Sequence, residues 1–337
     1  MTTPLERAIL EVIVYFDLFS YPLTPLEIWS NLKISASYNE VAEVLNSSQY
    51  LQNKLQNKNG LWFLRQHITE SALPPAVQTP ESSAVNFIAE RQKRYRASKH
   101  KLDKARRFVK LLRFVPGIEA VYACNSLGFL HSRRDSDIDL FIITKPVQIW
   151  TARFFAVLLA ELIGFRPKGE RVSNGLCLSF FARDGASMKA LALEQDLYYL
   201  YWMSKLMPVL LSPGSAERFW SRNLWVNAAL PQVPIIKPPQ SRIVRRSSYL
   251  INYRVISRLP LVGRVLSGAL KNLQTHMISA MEHSARILQL RWLPAYLKDV
   301  ANKGTSVVVN DEFLKFHDRD RREYFREEFA DHLKALA

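Results

Sequence analysis

Apolar residues recur at helical spacing from Leu5 to Phe19, which predicts an amphipathic helix at the start of the chain. Thr24, Pro25 and Glu27 place a capping side chain and a proline at the opening of a second helix. Ser37 to Leu45 predicts a third. From Tyr50 to Leu64 the period changes: Asn57-Lys58-Asn59-Gly60 is a turn signal, and Leu61-Trp62-Phe63-Leu64 is an apolar strand, so a hairpin is expected. Residues 71–85, SALPPAVQTPESSAV, read as a linker, and the prolines of residues 231–240 as a second one.

Between these linkers the pattern alternates strands and helices. Ile118 to Ala123 is a short apolar strand, Asn125-Ser126 a turn, and Leu127 to His131 a short helix ending in a surface histidine. A polar bend, residues 132–136, leads into a strand that begins Asp137-Ile138-Asp139-Leu140. Strand side chains alternate, so Asp137 and Asp139 share one face while Ile138 and Leu140 enter the core. A helix over Thr151 to Gly164 and a strand over Leu176 to Ala182 follow. Glu194 to Pro208 predicts an amphipathic helix packed through Tyr198, Tyr201, Trp202 and Leu206, which would wall a cleft beside the acidic strand. The last segment has Val307-Val308-Val309, Lys315-Phe316-His317 and a charged helix striped by Phe325, Phe329, Leu333 and Leu336.

At 337 residues the chain has room for two or three compact units. The expected division is a head of residues 1–70, a middle of residues 86–230 with a leading basic helix, and a mostly helical, basic tail of residues 241–337. Cys124 and Cys177 sit far apart in apolar runs and read as buried thiols, with no disulfide or zinc framework. Glu6, Arg7 and Glu11 interrupt the first apolar run, unlike a signal peptide, and Phe154 to Phe165 falls short of the ~20 residues of a bilayer span. A cytoplasmic protein is expected.

Charge adds partners to this picture. Lys plus Arg number 46 against 30 Asp plus Glu, a net charge of +16, which favours polyanions such as nucleotides, RNA or an anionic membrane surface. Eleven Lys or Arg fall between Glu90 and Arg113, opposed by Glu90 and Asp103. The tail mixes its cations with Tyr249, Tyr253, Trp292 and Tyr296, a composition suited to stacking on bases or lying among lipid headgroups.

Two carboxylates on one strand face repel unless a cation lies between them. Magnesium takes one or two carboxylates and completes its shell with substrate phosphates. Strand, turn, short helix and then Asp-x-Asp on a second strand, here Asn125-Ser126 followed by Asp137-Ile138-Asp139, resembles the polymerase-beta-like nucleotidyltransferase superfamily. Three helices and a hairpin in the head resemble a winged helix. Its third helix offers Glu40 and Glu43 rather than cations, so a packing or protein-contact role is favoured over DNA reading.

The first resemblance implies an α+β nucleotidyltransferase core, a mixed sheet flanked by helices. It implies Asp137 and Asp139 as magnesium ligands, and Asn125 and Ser126 as the cradle of a nucleoside triphosphate. Arg133, Arg134 and Lys145 lie near the pair in sequence and are candidate contacts for phosphate oxygens. Asn125 replaces the family's glycine, and asparagine is the next-best residue for a left-handed backbone. Active members add a third carboxylate from a later strand. Here that strand carries Ser179, and Asp184 just beyond it is the candidate acid, although alternation sets it opposite Ser179. The expected activity is transfer of a nucleoside monophosphate to an acceptor hydroxyl, with RNA as one acceptor. The alternative is a degenerate member that binds nucleotide or nucleic acid without turnover.

Overall fold

The computed structural model describes residues 2–65, 80–165, 175–233, 243–245, 262–318 and 320–336. The head has four helices, α1 (Pro4–Asp17), α2 (Pro25–Ser30), α3 (Tyr38–Ser47) and α4 (Gln49–Lys54), and a hairpin of β1 (Leu55–Lys58) and β2 (Leu61–Leu64). Three helices open with reciprocal caps, Thr3 with Glu6, Thr24 with Glu27 and Ser37 with Glu40. Glu40 therefore closes the start of α3. Asn59 and Gly60 turn the hairpin with φ of 55° and 76°, the pair of left-handed residues that a tight two-residue turn requires.

A long helix, α5 (Pro80–Leu112), starts inside the segment expected as a linker. It leads to β3 (Ile118–Ala123), the single-turn α6 (Asn125–Gly128), β4 (Ile138–Thr144), α7 (Ile149–Leu162) and β5 (Leu176–Arg183). Next come α8 (Leu197–Ser204), β6 (Met207–Leu211), α9 (Ser215–Ser221), α10 (Trp225–Ala229) and the two-residue β7 (Val244–Arg245). The chain ends with α11 (Val262–Trp292), α12 (Ala295–Val300), β8 (Val307–Val309), β9 (Phe313–Phe316) and α13 (Arg322–Leu336).

Seven strands form one mixed sheet in the order β7-β6-β3-β4-β5-β9-β8. β4 runs parallel to β5 and antiparallel to β3, and β9 joins the far edge of β5. The fold is thus α+β, a mixed sheet flanked by helices. Residues 307–316, expected within a mostly helical tail, add two strands to this sheet. Asn310 makes the turn between them, its Oδ1 accepting from the backbone of Glu312 at 2.8 Å and of Phe313 at 2.7 Å.

Alternation sorts the side chains between two cores. Val121, Ile138, Leu140 and Ile142 meet α5 and the small face of α7, Ala152, Ala156 and Ala160. Tyr122, Phe141, Ile143 and Phe180 meet α8 and, beyond it, the head. That second core is continuous with the head: the Tyr201 ring lies 4.7 Å from Tyr15 and 5.3 Å from Phe16, and its hydroxyl donates to the Asn31 carbonyl at 3.1 Å. Glu27 joins the head to α5, accepting from Arg91 Nη2 at 2.8 Å through both carboxylate oxygens. Among the described residues no helix is long and apolar enough to cross a membrane. Tyr249 and Tyr253 of the proposed stacking tail lie outside the described residues.

Candidate functional site

β3 ends at Ala123, and the chain turns through Cys124 and Asn125, whose φ is +52°. A left-handed residue is what the turn demands, and asparagine meets it at lower cost than most side chains. The Cys124 N–H donates to the Asp139 carbonyl at 3.2 Å, pinning the turn against β4. The helix that follows is only Asn125–Gly128; four residues align too few peptide dipoles to hold an anion by themselves. His131, expected at the surface, is buried: its Nε2 lies 2.8 Å from Arg94 Nη1 and 3.2 Å from the Phe19 carbonyl. Burial and the neighbouring guanidinium lower it to about 3, so it is neutral and Nε2 accepts from Arg94.

Asp137 and Asp139 come together as alternation predicts. Burial, and then the charge of Asp139, push Asp137 up to about 6, while Lys101 opposes the shift. Burial also raises Asp139, against hydrogen bonds from the Asn125 amide and the Cys177 thiol. Lys101, itself only 1% exposed, sends its ammonium to the Ser136 carbonyl beside the pair. Asp137 Oδ1 is buried without a hydrogen-bond partner among the described residues. An orphaned acceptor next to a second carboxylate suits a divalent cation, but no group of three or more His, Cys, Asp or Glu able to hold a metal occurs among the described residues. The donor set therefore fits magnesium that takes its remaining ligands from phosphates and water, and does not fit an all-protein cage.

Asn125 is fixed from both sides. Trp202 Nε1 donates to its Oδ1 at 2.8 Å, leaving the amide nitrogen for Asp139. Ser126 Oγ donates to Ser132 Oγ at 3.2 Å and lines a small cavity of ≈ 140 Å³ with Tyr21, Phe129 and His131. Asn125 lines that cavity as well as the larger cleft described below, whereas Ser126 lines the small cavity and is absent from the lining of the cleft. Arg133 is exposed and pairs with Asp135 at 3.3 Å, and the exposed Arg134 borders a groove along α5.

The other two candidates lie elsewhere. β5 runs parallel to β4, so the residue after β5 sits beside the end of β4: the Asp184 N–H donates to the Thr144 carbonyl at 2.7 Å. Five residues of strand put that end about 17 Å from Asp139. There Asp184 accepts from Arg218 Nε at 2.6 Å, Arg218 also reaches Glu119 at 3.2 Å, and Lys145 lies 3.9 Å from the same glutamate. Asp184 is thus the anion of a structural ion-pair cluster and not a third acid of the pair, and Lys145 belongs to the same cluster.

A cleft of ≈ 350 Å³ opens over the Asp139 face of the sheet, lined by Asn125, Tyr198, Trp202, Lys315, His317 and Phe325 among others. The Tyr198 and Phe325 rings stack with centroids 5.4 Å apart and planes within 8°. Burial, followed by the charge of Asp139, pushes Tyr198 up to about 12. A polar line runs from Asp139 to the cleft: Asp139 bonds Cys177, whose Sγ lies 3.1 Å from Ser179 Oγ, which lies 3.0 Å from Nε2 of His317, a lining residue. Lys315, lowered to about 8 by burial and Arg322, closes the far side. Sequence reasoning places the helix of Tyr198 and Trp202 at the cleft and misses Lys315 and His317, because nothing local to residues 313–317 says that they pair with β5. Comparison of the chain with protein-family models, curated proteins and solved structures finds no match.

Proposed function

We propose that this chain binds a nucleoside triphosphate together with magnesium at Asp137, Asp139 and the Asn125-Ser126 turn, as a divergent relative of the polymerase-beta-like nucleotidyltransferases. The observation that carries the reading is the orphaned, buried Asp137 Oδ1 beside a second carboxylate. An acceptor left without a partner in a protein interior is costly and calls for a ligand. The strand, turn and strand around it, with Asn125 in the left-handed conformation, support the same reading.

In this reading Asp137 and Asp139 hold the metal, and magnesium, when bound, neutralises the triphosphate. Asn125, held by Trp202, keeps Asp139 oriented, while Tyr198 and Phe325 offer aromatic surface to a base and exclude water. An acceptor hydroxyl attacks the α-phosphorus, the bond to the outgoing pyrophosphate breaks, and the acceptor proton leaves to solvent or to a neighbouring base.

A second reading, nucleotide binding without turnover, is favoured by one observation: Asp184 is spent on Arg218 at the other end of β4. Incubation with magnesium, each labelled triphosphate and a mixed pool of acceptors separates the two. Pyrophosphate release that Asp137→Asn abolishes supports transfer. Saturable triphosphate binding that needs magnesium and Asp137, with no pyrophosphate, supports the binder. Absence of magnesium-dependent binding overturns both.

A further inference from the structure

The cations of α5 divide into two groups. Arg91 is locked on Glu27 and lies 4.4 Å from the Tyr21 ring centroid, Arg94 is held by Glu90 at 2.9 Å and by His131, and Arg106 by Asp103 at 2.8 Å. Arg91 and Arg94 tie the helix to the body, while the Arg106–Asp103 pair stays within the helix. On the opposite side Arg96 and His100, with Arg134 from the loop before β4, line a groove of ≈ 660 Å³ and have no hydrogen-bond or ion-pair partner among the described residues. Lys93, with 72% of its side chain exposed, completes this face with a single distant approach to Glu90 at 3.7 Å. Ala89 and Ala97 leave the space that forms the floor.

Like charges gathered this closely repel one another, and among the described residues no carboxylate lines the groove to offset them. Two features indicate what does. The row from Lys93 to His100 spans seven residues of helix, about 10 Å, room for more than one phosphate of an extended strand. The inner wall is Lys101, whose ammonium donates to the carbonyl of Ser136, the residue before Asp137. One wall of the groove is therefore anchored one residue from the acidic pair.

We propose that this groove binds a single-stranded polynucleotide through its phosphates and is the track along which the acceptor reaches Asp137. The second half rests on the transfer reading above; the first does not. Fluorescence anisotropy with a labelled oligouridylate, in the full chain without magnesium or triphosphate, tests the first half. The triple variant Lys93→Glu, Arg96→Glu, Arg134→Glu changes exposed side chains and should keep the thermal unfolding of the parent. It should bind at least tenfold more weakly. Its log affinity should depend less steeply on log salt, by about 0.7 for each phosphate that is no longer neutralised, or about 2 for three.

A control with charge reversals at Arg107 and Lys110, exposed on the same helix farther along, should bind within about twofold of the parent. Equal losses in the two variants overturn the groove and leave net charge as the cause. Loss of binding to phosphatidylserine vesicles with oligonucleotide affinity retained overturns the polynucleotide in favour of a membrane surface. Binding is read without magnesium or triphosphate, so a failure of the transfer reading leaves this result intact. The second half is read by a photoreactive base at the 3′ end: cross-links within residues 133–137 support it, and cross-links elsewhere overturn it.

Discussion

Trp202 Nε1 donates to Asn125 Oδ1 at 2.8 Å, and that bond decides which end of the amide faces Asp139. With the oxygen occupied, the Asn125 nitrogen is left for the carboxylate. Trp202→Phe keeps an aromatic ring against Phe180, on which the indole stacks at 5.5 Å, while it removes the donor and leaves a cavity in the buried core. The variant should lose at least about 1 kcal/mol of stability, the net value of one such bond, with the cavity adding to it, measured by urea unfolding. It should also weaken magnesium-dependent triphosphate binding several-fold by freeing the amide to rotate, read by titration with a fluorescent triphosphate.

Asp184→Asn tests the assignment of the acids. The carboxylate is paired with Arg218 about 17 Å of strand away from Asp139. Triphosphate binding and any pyrophosphate release should stay within about twofold of the parent, because Arg218 is half exposed and its ion pairs contribute no more than about 1 kcal/mol. Lys145→Ala should behave the same way. A tenfold loss in either variant would return these residues to the site.

What the sequence discloses and what it hides follow from the range of the interactions. Caps and turns are local, so Thr24 with Glu27, Ser37 and the Asn59-Gly60 turn are legible. The pairing of Asp137 with Asp139 needs only strand alternation, and Asn125 takes the left-handed turn that its residue type suggests. Asp184 misleads because its place depends on whether β5 runs with or against β4, a choice made by the crossover through α7 and not by any residue near Asp184. Lys315 and His317 are hidden for the same reason: their role appears only when β9 adds to the edge of β5. Arg91, Arg94 and Lys101 look identical to Lys93 and Arg96 in a charge count, yet burial and partners separate structural cations from exposed ones.

Gly128 is required for a reason unrelated to its own flexibility. A Cβ at this position would stand 2.5 Å from the Lys205 carbonyl oxygen, closer than side-chain carbons approach backbone. That carbonyl follows α8, so the turn bearing Asn125 and the helix bearing Trp202 are held at a separation that only glycine permits. Gly128→Ala must push them apart, at a cost of about 1–3 kcal/mol by analogy with overpacked cores. Urea unfolding should show the loss. Gly185→Ala provides the contrast: its φ of +85° brings backbone strain, but its Cβ meets nothing within 4 Å, so triphosphate affinity should fall in the first variant and not in the second.

Acid should destabilise the protein through its buried histidines. His131 is held at about 3 by burial and Arg94, and His317 at about 4 by burial and Lys315, against about 6.5 in an unfolded chain. Between those values the unfolded state binds the protons and the folded state does not, so stability is complete above pH 6.5 and drains as the pH falls toward 4. Each histidine contributes a slope of about 1.4 kcal/mol per pH unit within that window. The groups facing His131 are Arg94, Arg91 and Glu90 together with the Phe19 carbonyl, none of which gains a proton there. His131→Gln keeps an acceptor for Arg94 and cannot be protonated. It should flatten the pH dependence of stability by that one slope, measured as urea-unfolding free energies at pH 7, 6 and 5. An unchanged slope in the variant would mean that His131 is already charged in the folded protein.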